Sequence, residues 1–181
     1  YVERLREQLL PAYDDQERRQ QVVERFYRTG DLAPLCELLE QKYFKVFDNR
    51  DLCWSNELVV KTAFLVTLFN DAFYIMDSEP ALERRYGDLL LRVRPDMRQY
   101  ALLDHLLEFK ALNLKAVGLT SAELIKKTRE ELRELPEIKA SLQDAEQQLI
   151  AYREILERPA DSPRRLHTHA VVCIGLERLV W

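Results

Sequence analysis

The chain has 181 residues, 47% of them hydrophobic and 32% charged, with a formal net charge of −4. That is enough apolar material for one buried core, and it excludes a disordered or low-complexity chain. Only 4 glycines are present, at Gly30, Gly87, Gly118 and Gly175. Their wide spacing excludes a G-x-G-x-x-G or Walker-type phosphate loop and argues against an all-β fold.

The most apolar window, residues 58–76, contains Lys61, Asn70 and Asp71, so no membrane span is expected. No signal-peptide pattern opens the sequence. Cys36, Cys53 and Cys173 are odd in number, far apart and form no C-x-x-C pair, which suits a reducing compartment and makes a cytoplasmic location the expectation.

In chain order, residues 2–10 read as a short helix ended by Pro11. Asp14 or Asp15 can cap a second, with Val22, Val23, Phe26 and Tyr27 on its apolar face and Gly30 at its end. Asp31 can cap a third through Leu35, Leu38, Leu39 and Phe44. Ser55 is a suitable cap for a nearly all-round apolar helix over residues 56–70, with Glu57 in its first turn, where the helix dipole favours a carboxylate. Residues 73–76 and 88–94 read as strands, and Pro95-Asp96 as a turn. A third strand is expected over 106–112. Thr120-Ser-Ala-Glu123 is a capping box before a helix to about residue 132, and Pro136 starts another to about residue 156. After a loop with Pro159, Ser162 and Pro163, a buried strand is expected from His169 to Gly175. The fold class is therefore mixed α/β (α+β), a sheet covered by helices and preceded by a helical arm.

Glu108 and Lys110 are two apart on the expected third strand, so both point to one face, while Leu107, Phe109 and Ala111 point to the other. Asp88 opens the preceding strand and can face the same place. Two carboxylates with phosphate and water oxygens are usual surroundings for Mg²⁺, and an ammonium beside them can steady a water or a developing anion. E-x-K alone is more often a solvated ion pair. Its setting inside an apolar strand gives these charges a cost and makes them informative.

The order Glu57, Ser78-Glu79, Tyr86-Gly87-Asp88-Leu-Leu-Leu, Leu107-Glu108-Phe-Lys110 and Ala145-Glu-Gln-Gln148-Leu with Tyr152 resembles the PD-(D/E)XK nuclease superfamily, in particular the domain found C-terminal to AAA-ATPase-like domains. The likeness covers residues 55–181, and residues 1–54 resemble the helical linker from the ATPase-like domain. The resemblance implies a restriction-endonuclease-like core with Asp88 and Glu108 as metal ligands for Mg²⁺ (or Mn²⁺). It implies that Lys110 orients or activates the attacking water, that Glu57 supports the site from the first helix and that Gln148 lines it from the later one. Glu79 is a weaker candidate on the same face. The chain departs from the superfamily pattern in having no Pro before Asp88.

The implied activity is metal-dependent hydrolysis of nucleic-acid phosphodiesters, DNA rather than RNA. The alternative is a catalytically inactive module of the same fold for protein or nucleic-acid binding or homo-oligomer formation, with Asp88 and Glu108 paired to arginines. A purely helical scaffold is a third reading. Arg84, Arg85, Arg92, Arg94 and Arg98 surround Asp88 in sequence and either contact phosphates or solvate a hairpin. Lys126, Lys127 and Arg129 read as a solvated helix face. His167 and His169 form an H-x-H with no third ligand nearby. Trp54 and Trp181 could stack on a base, Trp54 reading rather as a hydrophobic staple.

Overall fold

In the computed structural model the described residues are 13–46, 57–82, 85–157 and 165–181. The expected helix over 2–10, the Ser55 cap with Trp54, Arg84, and the loop prolines 159 and 163 lie outside them.

The first described helix, α1 (Tyr13–Thr29), buries Phe26 and Tyr27. It stops at Gly30, whose φ of +71° suits a residue without Cβ and whose N–H donates to Phe26 O at 2.8 Å. A Cβ at this position would also lie 2.8 Å from Nδ1 of the exposed His167 ring, which would have to shift. Helix α2 (Ala33–Leu38) follows, with the Asp31 carboxylate accepting from Ala33 N–H at 3.1 Å, and it runs on through a π-turn (Leu39–Tyr43) and a 3₁₀ turn (Phe44–Val46). Helix α3 (Glu57–Thr67) comes next.

Among the described residues seven strands occur in chain order: β1 (Tyr74–Ser78), the two-residue β2 (Ala81–Leu82) and β3 (Arg85–Tyr86), β4 (Leu89–Val93), β5 (Asp104–Leu112), β6 (Leu166–Ile174) and β7 (Arg178–Val180). Between β5 and β6 lie α4 (Ser121–Lys126), α5 (Arg129–Arg133) and the long α6 (Pro136–Glu157). The main sheet has five strands in the order β1-β4-β5-β6-β7. Only β5 and β6 are parallel, because three helices intervene to bring the chain back. β2 and β3 form a separate small hairpin. The scaffold is thus a mixed sheet with helices on both faces, which removes the all-helical reading.

Period-two alternation divides the core. Leu89, Leu91, Leu107, Phe109, Val171 and Cys173 face α1, α2 and α3, where Phe64 meets the Phe109 ring at 4.9 Å. Leu90 and Leu106 face α6 and pack with Leu149 and Tyr152. The helices preceding the sheet share its core: Tyr27 Oη donates to Leu68 O at 2.7 Å, and Glu40 accepts from Leu179 N–H at 2.7 Å and from Arg129 at 2.9 Å. Among the described residues no helix is long and apolar enough to cross a membrane.

Two strands start earlier than expected. β5 begins at Asp104 and β6 at Leu166, so Asp104 and His105 pair with Leu166 and His167. From sequence, residues 100–107 fit a helix turn as well as a strand, and the polar Asp104 and His105 stand outside the strand expected over 106–112, yet each is satisfied inside. Asp104, 1% exposed, takes both nitrogens of Arg98 (2.7 and 2.9 Å) and the Val93 N–H (2.7 Å). His105 Nδ1 lies 3.1 Å from His169 Nε2. The expected helix over 120–132 is two helices, because Thr128 and Glu131 form a second capping box and Lys127 between them is extended.

Candidate active site

The register of β1, β4 and β5 decides what meets at their common end. Leu89 pairs with Leu107 and with Ser78, so the next step of both ladders sets Glu79, Asp88 and Glu108 in a row across three strands. Glu79 N–H donates to Asp88 O at 3.1 Å, continuing the first ladder. In the second ladder the side chain takes over from the main chain: Asp88 Oδ2 accepts the Phe109 N–H at 2.7 Å. That bond fixes the Asp88 carboxylate beside Glu108.

Glu108 is 4% exposed, and its two oxygens differ. Oε1 accepts from Lys110 Nζ at 3.3 Å, whereas Oε2 is buried with no hydrogen-bond partner. Burial, and then the negative charge of Asp88, push the Glu108 pKa up to about 7, against the smaller pull of Lys110. Two carboxylates, one of them desolvated, therefore repel each other around an unsatisfied oxygen. A cation there would relieve both costs, so the residues fit a hard divalent ion.

Lys110 shares the α6 face with Glu108. Its Nζ also lies 3.3 Å from Asp144 Oδ2 on α6. Burial pulls the ammonium pKa down, but the carboxylates of Glu108, Asp144 and Glu57 outweigh it and raise the pKa. Lys110 is therefore a charged donor near neutral pH, suited to stabilising an anion and unsuited to accepting a proton. Glu57, exposed in the first turn of α3, is near enough to contribute to this field.

Gln148 reaches the site indirectly: its Nε2 donates at 2.8 Å to the same Asp144 Oδ2 that engages Lys110. Asp144 did not stand out in the sequence. The available signal was its position four residues before Gln148, which puts both on one helix face. Glu79 has a left-handed backbone (φ +57°) and binds the buried Lys61 at 2.7 Å, whose hydrogen bond and charge lower its pKa. It is thus engaged by α3 rather than by Asp88 and Glu108.

Among the described side chains, which do not include those of Arg84 and Arg85, no arginine pairs with Asp88 or Glu108. Arg92 instead binds Asp77 at 2.8 Å across β1 and β4, Arg94 lies 3.4 Å from Asp96, and Arg98 holds Asp104. Arg85 lies on β3. Trp181 takes the Arg129 guanidinium over its ring at 4.4 Å.

The H-x-H pair does gain a third imidazole, since all 3 histidines of the chain converge. His105 stacks on Phe26 at 4.2 Å, and burial lowers the pKa of both His105 and His169, the latter to about 3. They form a neutral polar contact within the core. Among the described residues no group of three or more His, Cys, Asp or Glu side chains is arranged to hold a metal. The Asp88–Glu108 pair is what is available, and Mg²⁺ commonly takes one or two carboxylates and completes its shell with water and phosphate oxygens.

No family model, no curated protein and no solved structure matches this chain.

Proposed function

We propose that this chain is a Mg²⁺-dependent nuclease domain of the restriction-endonuclease-like type, hydrolysing phosphodiester bonds of DNA. The observation that carries the proposal is the buried, partnerless Oε2 of Glu108 beside Asp88, with a charged Lys110 next to it. The strand order supports the reading: an antiparallel β1-β4-β5 meander, a helical crossover and a parallel β6 agree with the PD-(D/E)XK resemblance.

Asp88 and Glu108 would hold Mg²⁺ (or Mn²⁺). Such an ion supplies a bound water of lowered pKa and neutralises charge on the scissile phosphate. Lys110, beside Glu108, would offer its ammonium to the negative charge that develops during phosphodiester hydrolysis. Asp144 and Gln148 steady Lys110 from α6, and Glu57 adds negative potential from α3 that keeps the ammonium charged.

A second reading is favoured by one observation: Lys110 is already shared between two carboxylates, and Arg92 and Arg94 are engaged by acids. The domain would then be an inactive nuclease-fold module, attached to an AAA-ATPase-like domain and used for binding or assembly.

The test is incubation of supercoiled plasmid and single-stranded DNA with the protein in millimolar Mg²⁺ or Mn²⁺. Wild type should cleave, and Glu108→Gln and Lys110→Ala should not. Binding without cleavage by wild type would favour the inactive module.

A further inference from the structure

Lys61 stands on α3 and is only 5% exposed, and its helix neighbours Val60, Ala63 and Phe64 are buried as well. An ammonium in that setting carries a desolvation cost that a methionine of similar length would not. Among the described residues its one partner is Glu79, whose Oε1 accepts from Nζ at 2.7 Å. The pair is lopsided, because the Glu79 side chain is 64% exposed. Water already solvates such a carboxylate, so Glu79 has no need of a buried ammonium for its own sake. What the pair does is hold the chain in place.

Glu79 is the residue just past the end of β1. Strand alternation would set it on the face of Asp77 and its partner Leu90, the face that carries α6. Its backbone is instead left-handed, with φ +57°, a conformation that residues with a Cβ seldom adopt. The carboxylate is accordingly taken by Lys61 of α3, whose Val60 and Phe64 pack on the opposite face of the sheet.

The same residue holds Asp88 through the main chain. Glu79 N–H donates to Asp88 O at 3.1 Å, and beside that bond Gly87 N–H donates to Pro80 O at 3.2 Å. Asp88 is thus gripped twice, its carbonyl by Glu79 and its carboxylate by the Phe109 N–H at 2.7 Å. A continuous series of bonds runs from Lys61 to the strand that bears Glu108.

We infer that Lys61 is a positioning residue for the Asp88–Glu108 pair. Its ammonium keeps Glu79 in the left-handed turn, and the turn keeps the Asp88 main chain where the carboxylate reaches Phe109 and stands beside Glu108. Among the described residues Lys61 forms no ion pair with either carboxylate, so it acts only through Glu79. Losing the anchor loosens Asp88 whatever the domain does. Weaker binding of a divalent ion follows as well, and that part rests on the nuclease reading above.

The test uses the whole chain as wild type, as Lys61→Met, which keeps the side-chain length and removes the charge, and as Glu79→Ala at an exposed position. Amide hydrogen exchange is followed by NMR without metal, and Mn²⁺ affinity by calorimetry. The Phe109 amide should exchange faster by about tenfold or more in both variants, relative to the amides of the β5–β6 ladder. Mn²⁺ should bind each variant more weakly by about tenfold or more, the usual effect of losing an outer support of a metal ligand. Phe109 exchange equal to wild type in both variants would overturn the inference. So would faster exchange spread evenly over β5 and β6, the mark of a residue that only supports the fold, or unchanged affinity where wild type binds the ion. Faster Phe109 exchange with no Mn²⁺ binding by wild type would uphold the role of Lys61 and defeat the nuclease reading instead.

Discussion

The Asp88 carboxylate and the Phe109 backbone N–H are joined at 2.7 Å, and through that bond Asp88 is held beside Glu108 at the end of the β4–β5 ladder. A side chain has replaced the carbonyl that would continue the sheet. The main-chain ladder gives way to a side chain at this point, and two carboxylates are brought side by side.

Glu108 makes the stability of the fold depend on pH. Its folded pKa of about 7 lies above the 4.5 of a free carboxyl, so the contribution of this group is greatest below pH 4.5 and is lost as pH rises towards 7. At about 1.4 kcal/mol per unit the loss amounts to roughly 3 kcal/mol. Denaturant unfolding of wild type and Glu108→Gln should therefore diverge between these pH values, with the variant the more stable at pH 8. Parallel pH profiles would show that Glu108 carries no such burden.

Divalent ions should reverse that penalty. Mg²⁺ or Mn²⁺ at ten times its Kd stabilises the folded state by about 1.4 kcal/mol. For a chain of this size that is roughly 3–5 °C in Tm. Thermal unfolding should show this rise in wild type at pH 8 and lose it in Asp88→Asn and Glu108→Gln. An equal rise in all three proteins would place the ion elsewhere.

Lys110→Ala should lower metal-dependent cleavage by at least about 10²-fold, the usual effect of losing one transition-state donor. Asp144→Asn should cost less, since it positions Lys110 and touches no reacting atom. Cleavage rates on plasmid rank the two variants, and the reverse order would contradict these roles.

The legibility of the molecule in its sequence follows its chemistry. Helix α6 was readable because Leu142, Ala145, Leu149 and Tyr152 step by three and four and are all buried. Asp88, Glu108 and Lys110 were readable because charges stand out against apolar strands. The early starts of β5 and β6 were not, since Asp104 and His105 are polar and only their distant partners Arg98 and His169 make burial tolerable. Asp144 was hidden among the many acids of a solvated helix.

Asp104 offers a check on the fold independent of function. Arg98→Ala would leave a 1%-exposed carboxylate with the Val93 N–H and no counter-charge, at a cost of roughly 3 kcal/mol. Chemical denaturation measures this. A change below about 0.5 kcal/mol would mean that Arg98 does not supply the counter-charge that makes the burial of Asp104 tolerable.

The histidines should act in the opposite sense to Glu108. His169 is held neutral with a pKa of about 3 by burial, so stability present above pH 6.5 is lost as pH falls below it and protons favour the unfolded chain. His169→Gln should flatten the acid side of the stability profile. An unaltered acid limb would contradict a buried neutral imidazole.

The most direct test of the nuclease assignment is to grow crystals, soak them in Mn²⁺ and map its anomalous scattering. One peak or two are expected between Asp88 and Glu108, within about 2.3 Å of a carboxylate oxygen of each. A Mn²⁺-soaked crystal with no peak there, and Lys110 still bridging Glu108 and Asp144, would contradict it.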